Sequence, residues 1–145
     1  MRNEMTVVFK TGVGWAGAVV SDEGMQWIAL PKKGKKTVEQ ELRRAGHTLI
    51  TSSFRTGSVN EKPALLNRAV RLLQKYFAGE PVLFDLALDL GYYTDFQRAV
   101  WKAAASIPYG ETRSYAWIAN KIGKPKAARA VGQALGANPV PILIP

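Results

Sequence analysis

The apolar period changes once along this chain, and that change limits what it can fold into. Thr6-Val7-Val8-Phe9-Lys10, Trp15 to Ser21 and Met25 to Leu30 are rich in β-branched, aromatic and small apolar residues. Thr11-Gly12-Val13-Gly14 and Asp22-Glu23-Gly24 separate them with turn chemistry, and Pro31 stops the third. Three strands on short glycine-containing turns predict an antiparallel meander. From Thr37 onward the spacing is helical. Thr37, with Gln40 three residues on, predicts a capped helix over Val38–Ala45, ended by Gly46. Leu49-Ile50 reads as a strand fragment and Ser52 to Lys62 as a polar loop. Pro63 suits the first position of the next helix, where its missing N–H costs nothing. That helix carries Leu65, Leu66, Ala69, Val70, Leu72, Leu73, Tyr76 and Phe77 on one side. Arg68, Arg71, Gln74 and Lys75 lie opposite, and Ala78-Gly79-Glu80-Pro81 ends it. Strands first and helices after predict an α+β fold.

The last third is expected to be helical. Thr94 or Asp95 caps a helix through Ala105. Ile107 to Glu111 is a turn. Ser114 caps Tyr115–Ile122, whose buried side is expected to hold Trp117, Ile118 and Ile122. Gly123-Lys124-Pro125 breaks that helix. Pro125 is expected to open another that runs to Leu135 and ends with Gly136 in the left-handed conformation. Two short helices on a tight glycine turn have the form of a helix-turn-helix. The expected domains are 1–81 and 94–145. Residues 82–93 serve as a linker with room for one strand, in which Asp85 and Asp89 are solvated charges rather than an acid–base pair.

Composition narrows the chemistry. The chain has no cysteine and one histidine. Disulfides, thiolate metal sites, a cysteine nucleophile and a multi-histidine metal site are therefore excluded for these residues, and no metal or cofactor is expected. No run approaches the roughly 20 apolar residues of a membrane span, so no membrane partner is expected. Met1 to Lys10 lacks the apolar core of a secretory signal. The formal net charge is +9, unevenly placed. Residues 1–95 hold 13 Lys/Arg against 10 Asp/Glu, whereas residues 96–145 hold 7 against the single acid Glu111. Clustered cations in the last third point to a polyanion, most simply nucleic acid. The Lys32-Lys33-Gly34-Lys35-Lys36 run is read as a solvated loop. His47, just past a helix end, is given no catalytic role.

On the Pro125–Leu135 helix, Ala128, Val131 and Leu135 share the stripe expected to face the core. Lys126, Arg129, Gly132 and Gln133 fall outward, and Ala127, Ala130 and Ala134 keep the helix slim. A slim helix with one long cation can approach a groove floor closely. The competing reading is an ordinary alanine-rich packing helix.

Several motifs go further. Ile107-Pro108-Tyr109-Gly110-Glu111-Thr112, Ser114-Tyr115, the run Gly123 to Gly132 and the run Ala137-Asn138-Pro139-Val140-Pro141-Ile142-Leu143-Ile144-Pro145 closely resemble the O6-alkylguanine-DNA alkyltransferases. The specific match covers roughly residues 96–145. The resemblance implies a small ribonuclease-H-like α/β domain followed by a winged-helix-like DNA-binding domain. It implies a recognition helix in the minor groove of double-stranded DNA and an O6-alkylguanine flipped into a pocket. Arg129 matches the finger that replaces the flipped base, a role suited to a planar cation. Tyr115 matches the residue that rotates the nucleotide through its 3′ phosphate. Asn138 matches a hinge and Pro141 a pocket wall. The implied DNA-binding set is Tyr115, Lys126, Ala127, Arg129, Ala130, Gly132 and Gln133; the implied pocket set is Tyr115, Asn138 and Pro141.

In the family the motif that reaches Pro145 here continues into Cys-His-Arg, so the acceptor cysteine is expected to follow Pro145. Alkyl transfer needs a thiolate, and Ser106, Ser114 and His47 are not substitutes. The expectation is therefore a family member that recognises the lesion without transferring the alkyl group. The alternatives are a binding-only alkyltransferase-like protein and a winged-helix transcription regulator. A monomer is expected, with exchange of the apolar end around Ile142, Leu143 and Ile144 between copies as the alternative. The implied location is with DNA, in the cytoplasm or the nucleus.

Overall fold

β1 (Glu4–Thr11), β2 (Gly14–Ser21) and β3 (Met25–Lys32) form an antiparallel sheet in the order β1-β2-β3. The computed structural model describes residues 4–47, 61–91, 93–108 and 110–144, and only the backbone of residues 61–63. The expected Leu49-Ile50 strand, and the Ser52 to Lys62 loop as far as residue 60, lie outside them. Two compact units divide at Asp89/Leu90, inside the expected 82–93 linker.

In the first unit, β2 is buried on both faces, which explains its small residues. α1 (Lys35–Arg44) lays Val38 and Leu42 against Val19 and Ala29. A Cβ on Gly17 would stand 2.8 Å from a Leu42 methyl, so the helix needs the missing side chain to come this close. Ala16, Ala18 and Val20 point the other way and are equally buried, and α2 (Glu61–Phe77) contacts β1 and β2. α2 buries Leu66, Ala69 and Leu73 and exposes Arg68, Arg71, Gln74 and Lys75 as its period requires. Its first turn includes Pro63 but begins at Glu61, two residues before the expected start.

α1 also begins early. Gly34, not Thr37, is the N-cap, and no side chain caps it. Thr37 N already donates to Gly34 O at 3.2 Å, so the turn has closed before Thr37 can act as a cap. At the other end, Gly46 N bonds Arg43 O and His47 N bonds Leu42 O, a Schellman closure. This closure delivers His47 into the interior. Its Nδ1 lies 2.9 Å from Glu4 Oε2, and its ring packs on Trp27 with centroids 5.6 Å apart. The histidine is structural, as its isolation in the sequence suggested.

The expected connector is partly sheet-bound. Met25 N donates to Ala87 O, and Asp89 N donates to Met25 O, both at 2.8 Å. Ser21 Oγ and Gln26 Nε2 both donate to the Asp89 carboxylate, at 2.5 and 2.9 Å. Asp89 is thus a pin rather than a solvated charge. Asp85 is exposed and paired with Arg68, whose guanidinium holds its carboxyl below the usual range.

In the second unit, α3 (Asp95–Ala105), α4 (Tyr115–Lys121) and α5 (Ala128–Gly136) pack on one another. Thr94 and Gln97 form the complete capping box that starts α3. Trp101, fully buried, donates from Nε1 to Ala134 O of α5 at 2.8 Å and meets the Tyr93 ring edge-on. The α+β class read from the sequence is the observed one.

Candidate nucleic-acid interface

α4 starts where the sequence places it, with Ser114 Oγ accepting from Trp117 N at 3.0 Å. It ends differently from α5. Gly123 takes φ 78°, its N–H bonds Asn120 O, and Lys124 N bonds Ala119 O at 2.8 Å. The left-handed glycine therefore closes α4. Gly136, expected in that conformation, remains helical, and Ala137 is the C-cap with φ −92°. α5 also starts three residues later than expected, because Ala127 N bonds Lys124 O and makes residues 124–127 a turn. Proline at the second position of such a turn has the same fixed φ as proline opening a helix. Lys126 is consequently exposed on the turn and not on the helix.

The remaining residues of the expected DNA-binding set do gather. Arg129 and Gln133 are exposed one turn apart, with Ala127, Ala130 and Gly132 half-buried beside them. Arg129 makes no hydrogen bond or ion pair among the described residues. Tyr115, 53% exposed, lays its ring over Gly132, where an added Cβ would stand 2.9 Å from Cε2 and 3.1 Å from Cδ2. Tyr115 and the outward face of α5 are thereby one surface.

Asn138 and Pro141 belong to a closed loop after α5. Asn138 Nδ2 donates to Ile144 O at 2.7 Å, and Asn138 Oδ1 accepts from Val140 N at 2.9 Å. Pro141 pairs with Ile144 in an isolated bridge. Within this ring Ile142 takes φ 81°, a left-handed conformation that costs a β-branched residue of order 1–3 kcal/mol. Of this apolar end, Ile144 is 2% exposed, while Ile142 and Leu143 are half-buried. Pro145 lies outside the described residues.

The cations of this unit are not equivalent. Arg98 donates to Leu90 O and Tyr93 O and pairs with Asp95, so it holds the start of the unit together. Arg113 pairs with Glu111 at 2.9 Å and covers Trp117, with 5.4 Å to the ring centroid. Lys121 donates to Ser106 Oγ at 2.9 Å and sits 4.9 Å from the same ring. Trp117, expected in the core, is only half-buried, and these two cations cover its ring. The spacing of Arg113, Trp117 and Lys121, four residues each, was the available signal. Lys102, Lys124, Lys126 and Arg129 remain exposed and unengaged among the described residues. Those residues offer no cluster of metal-ligating side chains.

Residues 95–145 match the family model described as the DNA-binding domain of 6-O-methylguanine DNA methyltransferase. The methylated-DNA–protein-cysteine methyltransferase of Mycobacterium bovis is 58% identical over 83 residues, 57% of this chain and 50% of that protein. The chain thus spans about half the length of some curated relatives it matches. The enzyme of the same name from Methanosarcina acetivorans is 38% identical over 138 residues, 95% of this chain and 78% of that one. Among solved structures, Mycobacterium tuberculosis O6-methylguanine methyltransferase superposes with a TM-score of 0.69 at 36% identity, covering 98% of this chain and 75% of that one. A structure of the Mycobacterium tuberculosis protein OGT in complex with DNA gives 0.69 at 37%, covering 97% and 74%. With 38% identity along nearly its whole length and a shared fold across both units, the chain belongs to the methylated-DNA–protein-cysteine methyltransferase family.

Proposed function

We propose that this chain binds double-stranded DNA through α5 and recognises O6-alkylguanine by turning it out of the helix. The observation that carries the reading is Arg129, an exposed and unengaged guanidinium on a slim helix, on the same surface as Tyr115. Ala127, Ala130 and Gly132 let the α5 backbone approach the minor groove. Arg129 enters the stack at the vacated place, where its planar cation can stack as well as bond. Tyr115 turns the nucleotide by its 3′ phosphate, and Lys126 and Gln133 hold neighbouring backbone and groove positions. Flipping costs a few kcal/mol of lost stacking, least at a damaged pair, and Arg129 offsets it. Asn138 and Pro141 wall the pocket. The chain acts as a monomer and resides with the genome, in the nucleoid or the nucleus.

Transfer itself requires a thiolate sulfur to attack the alkyl carbon, with the bond to guanine O6 breaking and a thioether remaining. These 145 residues contain no cysteine, so they hold no such acceptor. Recognition without transfer is the proposed activity of the chain as it stands. Incubation with an O6-methylguanine duplex is expected to give a complex that denaturing mass spectrometry resolves into unmodified protein; a mass gain of one methyl overturns this. In a fluorescence-anisotropy titration, Arg129→Ala is expected to weaken lesion binding at least about tenfold, on the scale of a lost charged anchor. Lys33→Ala should change it less than about twofold, as for a solvated surface charge. Equal losses would remove Arg129 from the finger role.

A further inference from the structure

We infer that Gly132 is the positioning residue for Tyr115: the space left by its missing side chain is the seat of the phenol ring. The functional part of this inference rests on the reading of Tyr115 as the group that turns the nucleotide.

Three observations converge. A Cβ on Gly132 would lie 2.9 Å from Cε2, 3.1 Å from Cδ2 and 3.6 Å from Cζ, all along one edge of the Tyr115 ring. The first is a distance real Cβ atoms do not adopt, and the atoms met belong to a rigid ring, so the ring must move as a whole. Next, Tyr115 is the first residue of α4 and 53% exposed, so the hydrophobic core does not fix its ring. Its backbone is fixed by the Ser114 cap, which leaves the rotation of the side chain as the freedom to be restrained. Finally, Gly132 stands at the centre of α5, away from the helix end where Gly136 lies, and a glycine at the centre is disfavoured against alanine. A glycine that weakens its own helix calls for a packing reason, and the Tyr115 ring supplies one.

The consequence is geometric. Tyr115 pivots at its own Cβ, so a shift of a few tenths of an ångström at Cδ2 becomes a larger one at the hydroxyl. A hydroxyl so displaced would miss the phosphate it is meant to push, although the helix, Arg129 and the groove-facing alanines stay in place. Gly132 would thus act on flipping through Tyr115, besides letting the α5 backbone come close to the groove.

The test uses the full chain and four proteins: the parent, Gly132→Ala, Tyr115→Ala and the double variant. The probe is a duplex carrying 2-aminopurine next to O6-methylguanine, whose fluorescence reports unstacking. Gly132→Ala is expected to lower the flipping signal about tenfold when Tyr115 is present, in line with the cost of an ångström-scale misplacement. It should lower it less than about twofold in the Tyr115→Ala background. Equal losses in both backgrounds overturn the inference, since Gly132 would then meet DNA directly. The second measurement needs no DNA. The Tyr115 ring resonances of the free protein should move in Gly132→Ala while those of Tyr93 stay; unmoved Tyr115 resonances overturn the seat itself. If Tyr115→Ala leaves flipping unchanged, the nucleotide-turning reading fails, and the ring resonances still decide whether Gly132 seats the ring.

Discussion

Ile142 takes the left-handed conformation with nothing in its side chain to favour it. What holds it there is Asn138, whose amide is bonded at both faces: the Nδ2 group to Ile144 O and the Oδ1 atom to Val140 N. One side chain thus closes the Asn138–Ile144 ring and balances the strain within it. Asn138→Ala removes both bonds and is expected to destabilise the second unit by about 2–3 kcal/mol, two lost hydrogen bonds at roughly 1 kcal/mol each plus a desolvated carbonyl. Urea denaturation of the full chain measures this, and Asn138→Asp, which keeps the acceptor and loses the donor, should fall between. A loss under about 0.5 kcal/mol, the range of an ordinary surface change, would mean that the loop holds its shape without Asn138. The motif singled out Asn138, whereas the positive φ at Ile142 was not legible in it. A left-handed glycine announces itself in sequence; a left-handed isoleucine is imposed by bonds made elsewhere.

Among the elements, two of the three caps were legible. Thr94, one of two candidates with Asp95, and Ser114 stand where sequence logic places a cap, because an N-cap is a local interaction within one turn, whereas Thr37 lies inside a turn already closed by Gly34. Errors arose where two local readings share the same residues. Pro125 fits the opening of a helix and also the second position of a turn, and the Ala127 N to Lys124 O bond decides for the turn. Asp89 read as a linker charge because its partners Ser21 and Gln26 are more than sixty residues away, beyond any local signal. The α3–α5 contact was likewise invisible: Trp101 reads as an apolar residue, but its indole N–H bonds the Ala134 carbonyl. Trp101→Phe keeps an aromatic ring there and removes that bond, leaving a smaller side chain in a closed site. The expected cost is about 2–3 kcal/mol, seen as a lower thermal midpoint with helix content retained. An unchanged midpoint would show that packing alone joins α3 to α5.

At the scale of the whole molecule the two units divide the net charge almost evenly. Residues 1–89 hold 13 Lys/Arg against 9 Asp/Glu, and residues 90–145 hold 7 against 2. Total charge therefore does not single out the second unit, and its seven cations are not equally available. Arg98, Arg113 and Lys121 are engaged with carbonyls, carboxylates, a hydroxyl and an indole face, which leaves Lys102, Lys124, Lys126 and Arg129. That division fixes a thermodynamic quantity. Each phosphate neutralised on duplex DNA releases close to one condensed ion, so four free cations predict a slope of about −3.6 for log K against log salt concentration, where all seven would give about −6.3. Anisotropy titrations between 50 and 200 mM salt, with a change in affinity of about 150-fold for four contacts and about 6,000-fold for seven, distinguish the two. A slope near −6 would require Arg113 and Lys121 to leave Trp117, and Arg98 to leave its carbonyls, on binding. A shallow slope would mark the caged cations as part of the scaffold, so that the ionic atmosphere of DNA counts only the charges the fold has left idle.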